Sequence, residues 1–307
     1  MRSRLVLLFA ALALAVGACS SGGSSAASRP VGSEEVVVVP AMGEIALGTQ
    51  RFTFAAFTTQ GEAVEAAGAT VQFVLLQGQQ DLARQSVSAV YYRIEVETPH
   101  LHQAGDVHGH VEAKGFFLVD AATFDTSGFW RADVTLAGGP AAGRKGSLAF
   151  EVQSRGTSPA LGAPAPATKN PTAKGLQDLA ELTSRTPPYP PFHQMSIEEA
   201  LQSRRPFVVA FATPAFCVSA ICGPVLEIVR SVADTAGDKA VFIQIEPYDL
   251  KIARTQGRLS LVPAGREWGL QSEPWVFVVD REGRVAAKFE GLLTPQELLD
   301  AVNRVAS

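Results

Sequence analysis

Two of the three cysteines of this 307-residue sequence lie close together, in the stretch FATPAFCVSAICGPVLEIV. Four residues separate Cys217 from Cys222. Such a pair can be a working redox couple that exchanges disulfides, a structural disulfide, or two neighbouring thiols that are not linked. Much of the functional interpretation depends on which of these it is.

The spacing restricts where the two cysteines can lie. Residues five apart in an unbroken helix have Cα atoms about 8–9 Å apart, whereas a disulfide needs less than about 7 Å. We therefore expect either Cys217 in a loop and Cys222 in the first turns of a helix, or a first turn that unwinds on oxidation. Pro214 and the helical pattern after Ile221 favour the first arrangement. It places Cys217 beside a helix N-terminus, whose N–H groups favour the thiolate.

A second cluster with chemical potential is the histidine-rich stretch PHLHQAGDVHGH. Four of the five histidines fall within its eleven residues 100–110: His100, His102, His108 and His110. Neutral imidazole binds copper or zinc, and each pair points to one side if the chain is extended. The alternative is a polar loop exposed to solvent. The cysteine chemistry requires no cofactor, so copper or zinc at this loop is the cofactor that the sequence suggests, and it would add a copper-handling role.

The first residues predict export. Arg2 and Arg4 precede an apolar run over residues 5–18, which is short for a membrane span and typical of a signal peptide. The ending VGAC resembles the lipobox of bacterial lipoproteins, which implies a signal peptide over 1–18, a lipid on Cys19 and a flexible tether over 19–34. The alternative is an ordinary cleavable signal followed by an unrelated cysteine. A lipid on Cys19 leaves one cysteine pair outside the cytoplasm, where disulfides persist.

Charge and location together limit the partners. The formal net charge is −4 and no segment is strongly basic, which argues against nucleic acid. We expect a protein held at the extracytoplasmic face of the cell envelope by its lipid, with thiols or disulfides of exported proteins as partners.

Residues 35–155 read as an all-β domain. Seven short runs rich in β-branched and aromatic residues, without a helix-length pattern, predict a β-sandwich. Phe124, Gly128 and Trp130 resemble the late strands of small exported immunoglobulin-like domains of the YtkA/FixH type. Prolines recur through residues 156–193, which we interpret as a linker that serves as a spacer.

Residues 194–307 alternate strand and helix signals. A capping box at residues 196–199 opens a short helix, and continuous apolar runs over 206–213 and 274–280 predict buried strands. Thr294 and Pro295 open a final helix. After the short helix, the predicted order is strand, helix, strand, helix, strand, hairpin, strand and helix.

This order resembles the thioredoxin superfamily over residues 195–305. A buried strand leads to cysteines at the start of a helix, and that helix carries a proline in GPVL. Glu273 and Pro274 match the position of the family's cis-proline. The sequence departs from the family in having four residues between its cysteines instead of two, and Phe216 where a tryptophan is usual.

The resemblance implies a thiol–disulfide oxidoreductase. Cys217 would attack a substrate disulfide and Cys222 would resolve the mixed disulfide, while Glu273 and Pro274 would shape the substrate groove.

Two alternatives remain at this point. TPAFCVSAICG also resembles bacterioferritin-comigratory-type peroxiredoxins, although the threonine lies four residues before Cys217 instead of three. In the other alternative, the pair is a structural disulfide in a scaffold or metal-binding lipoprotein, which would contribute about 1–3 kcal/mol because the closed loop is short.

Overall fold

The computed structural model describes residues 35–78, 80–95, 98–101, 107–110, 114–218 and 221–307. The predicted signal peptide and tether, with Cys19, lie outside the described residues, and so does His102. Among the helices of the described ranges, none has the length and apolarity needed to cross a membrane.

Residues 35–155, called the β part below, contain seven strands joined in one antiparallel sheet. The order across the sheet is β1-β2-β7-β4-β3-β8-β9. The strands are β1 (Val37–Pro40), β2 (Gly48–Phe57), β3 (Gly68–Gln77), β4 (Gln80–Arg93), β7 (Gly115–Phe124), β8 (Gly128–Ala137) and β9 (Lys145–Val152). A separate two-stranded ribbon is formed by β5 (Thr98–Leu101) and β6 (Val107–His110).

The hydrogen bonding of the β part differs from the predicted two-sheet sandwich. Strand β4 is 14 residues long. It pairs with β3 as far as Val90 and with β7 from Val90 to Arg93. Strand β4 therefore joins the strands on its two sides into one sheet, whereas a sandwich would divide them between two sheets. The sheet also curls, since Val36 N donates to Lys145 O at 2.8 Å and brings the two ends together. An immunoglobulin-like classification stays a prediction.

Aromatic side chains fill the inside of the curled sheet. Phe52, Phe73, Phe124 and Trp130 are fully buried and in mutual contact through tilted and edge-to-face rings. The Trp130 indole donates to Thr126 O at 2.9 Å, which satisfies its one polar group. Of the three residues singled out in the sequence, Phe124 and Trp130 therefore belong to the core, and Gly128 begins β8.

Residues 194–307, called the α/β part, contain a four-stranded mixed sheet in the order β11-β10-β12-β13. Its strands are β10 (Phe207–Phe211), β11 (Val241–Ile245), β12 (Trp275–Val279) and β13 (Val285–Glu290), and its helices are α1 (Ile197–Ser203), α2 (Cys222–Ala236), α3 (Leu250–Gln256), α4 (Pro263–Glu267) and α5 (Pro295–Ala306). Strands β10 and β11 are parallel, and the other pairs are antiparallel. The capping boxes at Ser196 and Thr294 are confirmed. The element order differs from the prediction in one place, because two helices, α3 and α4, lie between β11 and β12 where the sequence indicated one.

The proline-rich residues 156–193 differ from the spacer expected from the sequence. Gly162 N donates to Val285 O and Ala165 N donates to Gly283 O, so this stretch lies beside β13. Further along, the Trp268 indole donates to Thr168 Oγ1 at 3.2 Å. Proline prevents a regular helix or central strand, but it does not prevent a chain from packing on a neighbour that supplies its hydrogen bonds.

The β part and the α/β part share a hydrophobic cluster. Phe117 of β7 points into the β part, whereas Phe116 and Leu118 belong to a cluster with Ile228 of α2 and Leu293. Residues 116–119 of β7 are therefore buried on both faces of the strand, and their outer face packs on the helices. No pattern in the sequence indicated this contact.

Candidate functional site

The cysteine pair lies at the start of α2. Cys222 is the first residue of the helix, and Cys217 lies outside it. The two are joined by a disulfide with their Cα atoms 5.9 Å apart. The arrangement with Cys217 in the loop and Cys222 at the helix start is therefore confirmed.

The two sulfurs have different surroundings. Cys222 is fully buried, whereas Cys217 is partly exposed and Val218 beside it is 80% exposed. The N-cap residue Ile221 supplies no side-chain hydrogen bond to α2, and the Cys222 N–H donates to Cys217 Sγ at 3.2 Å. A sulfur thus takes a place that a capping oxygen usually fills, where the helix dipole favours negative charge.

Glu273 faces the cysteine pair. Its Oε1 accepts from Val218 N at 3.1 Å, and its Oε2 accepts from the Tyr248 hydroxyl at 2.5 Å. Burial, together with the hydrogen bond to Glu273, raises the pKa of Tyr248, so the phenol stays a donor at neutral pH. The next peptide bond, Glu273–Pro274, is cis. The carboxylate is thus held on the loop segment that carries Cys217.

The proline-rich segment reaches the same loop through Ser184. Its hydroxyl donates to Glu246 Oε1 at 2.8 Å and accepts from Ala215 N at 3.1 Å, two residues before Cys217. Burial raises the pKa of Glu246. Arg185 adds a bond to Glu227 Oε1 of α2 at 2.8 Å. Residues 184 and 185 therefore form hydrogen bonds, direct or through Glu246, with the chain before and after the cysteine pair.

A cavity of about 600 Å³ adjoins the site. Ile221 and Glu273 line it from the α/β part, and Tyr91 lines it from the β part. At its edge the Gly291 N–H donates to Pro274 O at 2.9 Å, while the carbonyl of Ala41 lies so close to Gly291 that no Cβ would fit. The β part therefore forms one wall beside the cysteines.

A buried carboxyl fixes this wall. Glu290 Oε2 accepts from Glu44 N at 2.6 Å, and Oε1 accepts from the Ser272 hydroxyl. Burial raises the pKa of Glu290. Glu44 itself accepts from Lys288 Nζ at 2.9 Å. Polar groups from the two parts thus satisfy one another at the cavity.

Three of the four clustered histidines, His100, His108 and His110, belong to the ribbon strands β5 and β6. The backbone register pairs His100 with His108 and Thr98 with His110. His102 falls outside the described residues. Metal binding at this stretch stays a prediction.

Several residues of the site escaped the reading of the sequence, among them Tyr248, Ser184 and Gly291. A signal existed for Tyr248. It follows β11, as Cys217 follows β10, and parallel neighbours end at the same edge of a sheet. Ser184 and Gly291 carried no comparable signal, because their partners are distant in sequence.

Among known proteins, similarity to this chain is found with solved structures. No protein-family model matches the chain, and no curated protein matches it. Among solved structures, the chain is similar to a thiol:disulfide interchange protein, a thioredoxin family protein from Chlorobium tepidum TLS. The two are 18% identical, with a TM-score of 0.30, over 49% of this chain and 100% of that one.

Proposed function

We propose that the protein is a thiol–disulfide oxidoreductase that works through Cys217 and Cys222. The asymmetry of the pair carries the proposal. Cys217 is the accessible sulfur and receives an N–H from the start of α2, whereas Cys222 is buried behind it. An attacking thiolate must be reachable and stabilised, while a resolving thiol needs to reach only its partner.

Two successive thiol–disulfide exchange steps would reduce a substrate disulfide. The Cys217 thiolate attacks one sulfur of a substrate disulfide, and the other substrate sulfur leaves as a thiolate that takes up a proton. The Cys222 thiolate then attacks Cys217 Sγ, which releases the second substrate thiol and closes the Cys217–Cys222 disulfide. Two electrons pass from the protein to the substrate, and the reverse sequence oxidises a substrate dithiol.

The fold proposed for residues 194–307 is thioredoxin-like, and for residues 35–155 immunoglobulin-like, with 156–193 as the connection between them. The mixed sheet with a redox helix directly after β10 supports the first assignment. The seven-stranded antiparallel sheet with its aromatic core supports the second.

The location belongs to the proposal as well. The signal-like residues 1–18 and the lipobox at Cys19 support a lipid anchor at the extracytoplasmic face of the envelope. Exported proteins with thiols or disulfides are then the proposed partners, and exchange needs no cofactor. Copper or zinc at the histidine ribbon remains a separate proposal that rests on the sequence.

The geometry favours exchange over peroxide turnover. Thr213 is the threonine on which a peroxiredoxin-like site would depend, and it is fully buried beside the buried Glu246. Its hydroxyl is therefore shielded from the solvent through which peroxide would arrive.

The first test is the reduction potential of the pair. Full-length protein in detergent is equilibrated across glutathione and dithiothreitol ratios, and thiols are counted by alkylation and mass spectrometry. We expect a value between about −120 and −270 mV, the range of working oxidoreductases. Cys222→Ser should then trap mixed disulfides and Cys217→Ser should not. A potential below about −300 mV, with an unreactive Cys217, would identify a structural disulfide and refute the proposal.

A further inference from the structure

Three ligand atoms of different residues converge at the cysteine pair. The sulfurs of Cys217 and Cys222 and a carboxylate oxygen of Glu273 all lie within 4.8 Å of one another. A tetrahedral zinc ion has Zn–S distances of about 2.3 Å and Zn–O distances of about 2.0–2.2 Å, which separate its ligand atoms by about 3.4–3.8 Å. Opening the disulfide lets the sulfurs move apart towards that separation. The site then needs only small movements to hold the ion.

We propose that the reduced protein binds Zn²⁺ through Cys217, Cys222 and Glu273, and that the disulfide form does not. Thiolates and a carboxylate are ligands that zinc accepts, with the fourth position left to water. The inference rests on the proposed function in one respect, since the pair must be reducible for the ligands to exist.

The carboxylate is already oriented for this task. Tyr248 holds one oxygen of Glu273 and the Val218 N–H holds the other. Each carboxylate oxygen has a second lone pair, so a metal can bind without displacing either donor. Supporting hydrogen bonds of this kind fix ligands in metal sites, and their loss typically weakens metal binding about 10–100-fold.

The charges of the reduced site also favour a cation. Two thiolates and a carboxylate would place three negative charges in a partly buried space. In the described part of the chain, no Lys or Arg forms an ion pair with Glu273. The N–H groups at the start of α2 offset only part of such a charge. A divalent ion would neutralise two of the three charges.

Zinc binding and reduction of the disulfide are then thermodynamically coupled. Reduction adds two electrons and two protons to the disulfide and gives two thiols, and zinc binding releases those two protons. Because zinc stabilises the reduced form alone, it should raise the reduction potential of the pair. The rise should be about 30 mV for each tenfold excess of free zinc over its dissociation constant.

The test compares zinc binding by the two redox states of the full-length protein. The protein is reduced with a phosphine, desalted without oxygen, checked by thiol count and titrated with Zn²⁺ against a chromogenic chelator. We expect one more zinc per chain in the reduced state than in the oxidised state. Zinc held by the histidine ribbon appears in both states and is subtracted.

Variants show whether Glu273 is a ligand. Glu273→Gln should weaken the redox-dependent zinc at least tenfold, and Tyr248→Phe should weaken it by a smaller factor. Glu282→Gln changes an exposed carboxylate in the turn after β12 and should have no effect. The thermal unfolding of each oxidised variant shows whether it is folded.

The outcomes separate this inference from the proposed function. A disulfide that resists reduction would overturn both. A pair that reduces and exchanges normally but binds no additional zinc would overturn the zinc site alone. Equal binding by Glu273→Gln and the unchanged protein would also overturn it, because any two thiolates would then suffice.

Discussion

Replacing Gly291 by alanine should weaken the contact between the β part and the α/β part. Gly291 has a φ of 68°, where an L-residue costs about 1–2 kcal/mol. A Cβ at this position would also collide with the backbone carbonyl of Ala41. Forcing extra atoms into a packed site costs about 1–3 kcal/mol more. The expected loss in free energy of unfolding is therefore about 2–5 kcal/mol.

Gly257→Ala is the matched control. Gly257 ends α3 with a φ of 62°, and a Cβ there meets no atom within 4 Å. Gly257→Ala should lower the free energy of unfolding only by the cost of the left-handed backbone conformation, about 1–2 kcal/mol. The assay is urea unfolding followed by tryptophan fluorescence and by circular dichroism, on oxidised protein. Equal losses for the two variants would refute the reasoning, because they would mean that the segment around Ala41 does not press on Gly291.

Two further predictions concern the proline-rich segment. Burial lowers the pKa of His193 to about 4. In the unfolded chain this histidine has an ordinary pKa near 6.5, so the unfolded state takes up a proton first as the pH falls. Between pH 7 and pH 5 the protein should therefore lose about 2 kcal/mol more of its free energy of unfolding than the His193→Gln variant loses. Urea midpoints that fall by the same amount in the two proteins between pH 7 and pH 5 would contradict this. Ser184→Ala removes a donor to the buried Glu246 and an acceptor for Ala215 N, and should lower the free energy of unfolding by about 1–3 kcal/mol. Ser231→Ala, at an exposed position of α2, should lower it far less in the same urea series. A similar loss for both variants would count against the role given to Ser184.

Local signals predicted the α/β part well. The apolar runs around β10 and β12 correspond to strands in which every residue is buried. The capping boxes at Ser196 and Thr294 set helix starts because a side chain there satisfies N–H groups a few residues away. The position of Cys217 followed from the geometry of a disulfide together with Pro214 and the helical pattern after Ile221. Each of these predictions depends on interactions within a few residues of the chain.

The predictions that differ from the structure depend on distant contacts. The run that became β7 was recognised as a strand from its β-branched and aromatic residues, but its composition did not indicate that Phe116 packs on helices of the α/β part. The prolines of residues 156–193 excluded regular structure without revealing that Ser184 bonds to Glu246, 62 residues away. Periodicity reports which faces of a segment are apolar, and it does not report which partner covers them.

The contact between the two parts is specific, since it buries a charge. The Arg51 side chain of β2 is 14% exposed; its Nη2 donates to Leu292 O at 2.8 Å, and its Nε lies 3.2 Å from Glu297 Oε1 of α5. Burial lowers the pKa of Arg51, while the Glu297 carboxylate opposes that shift. A buried guanidinium tolerates few alternative placements, because losing its partners leaves an uncompensated charge. Leu292 directly follows Gly291, whose N–H donates to Pro274 O. The anchor of the β part and the residue beside Glu273 are therefore joined through one short loop.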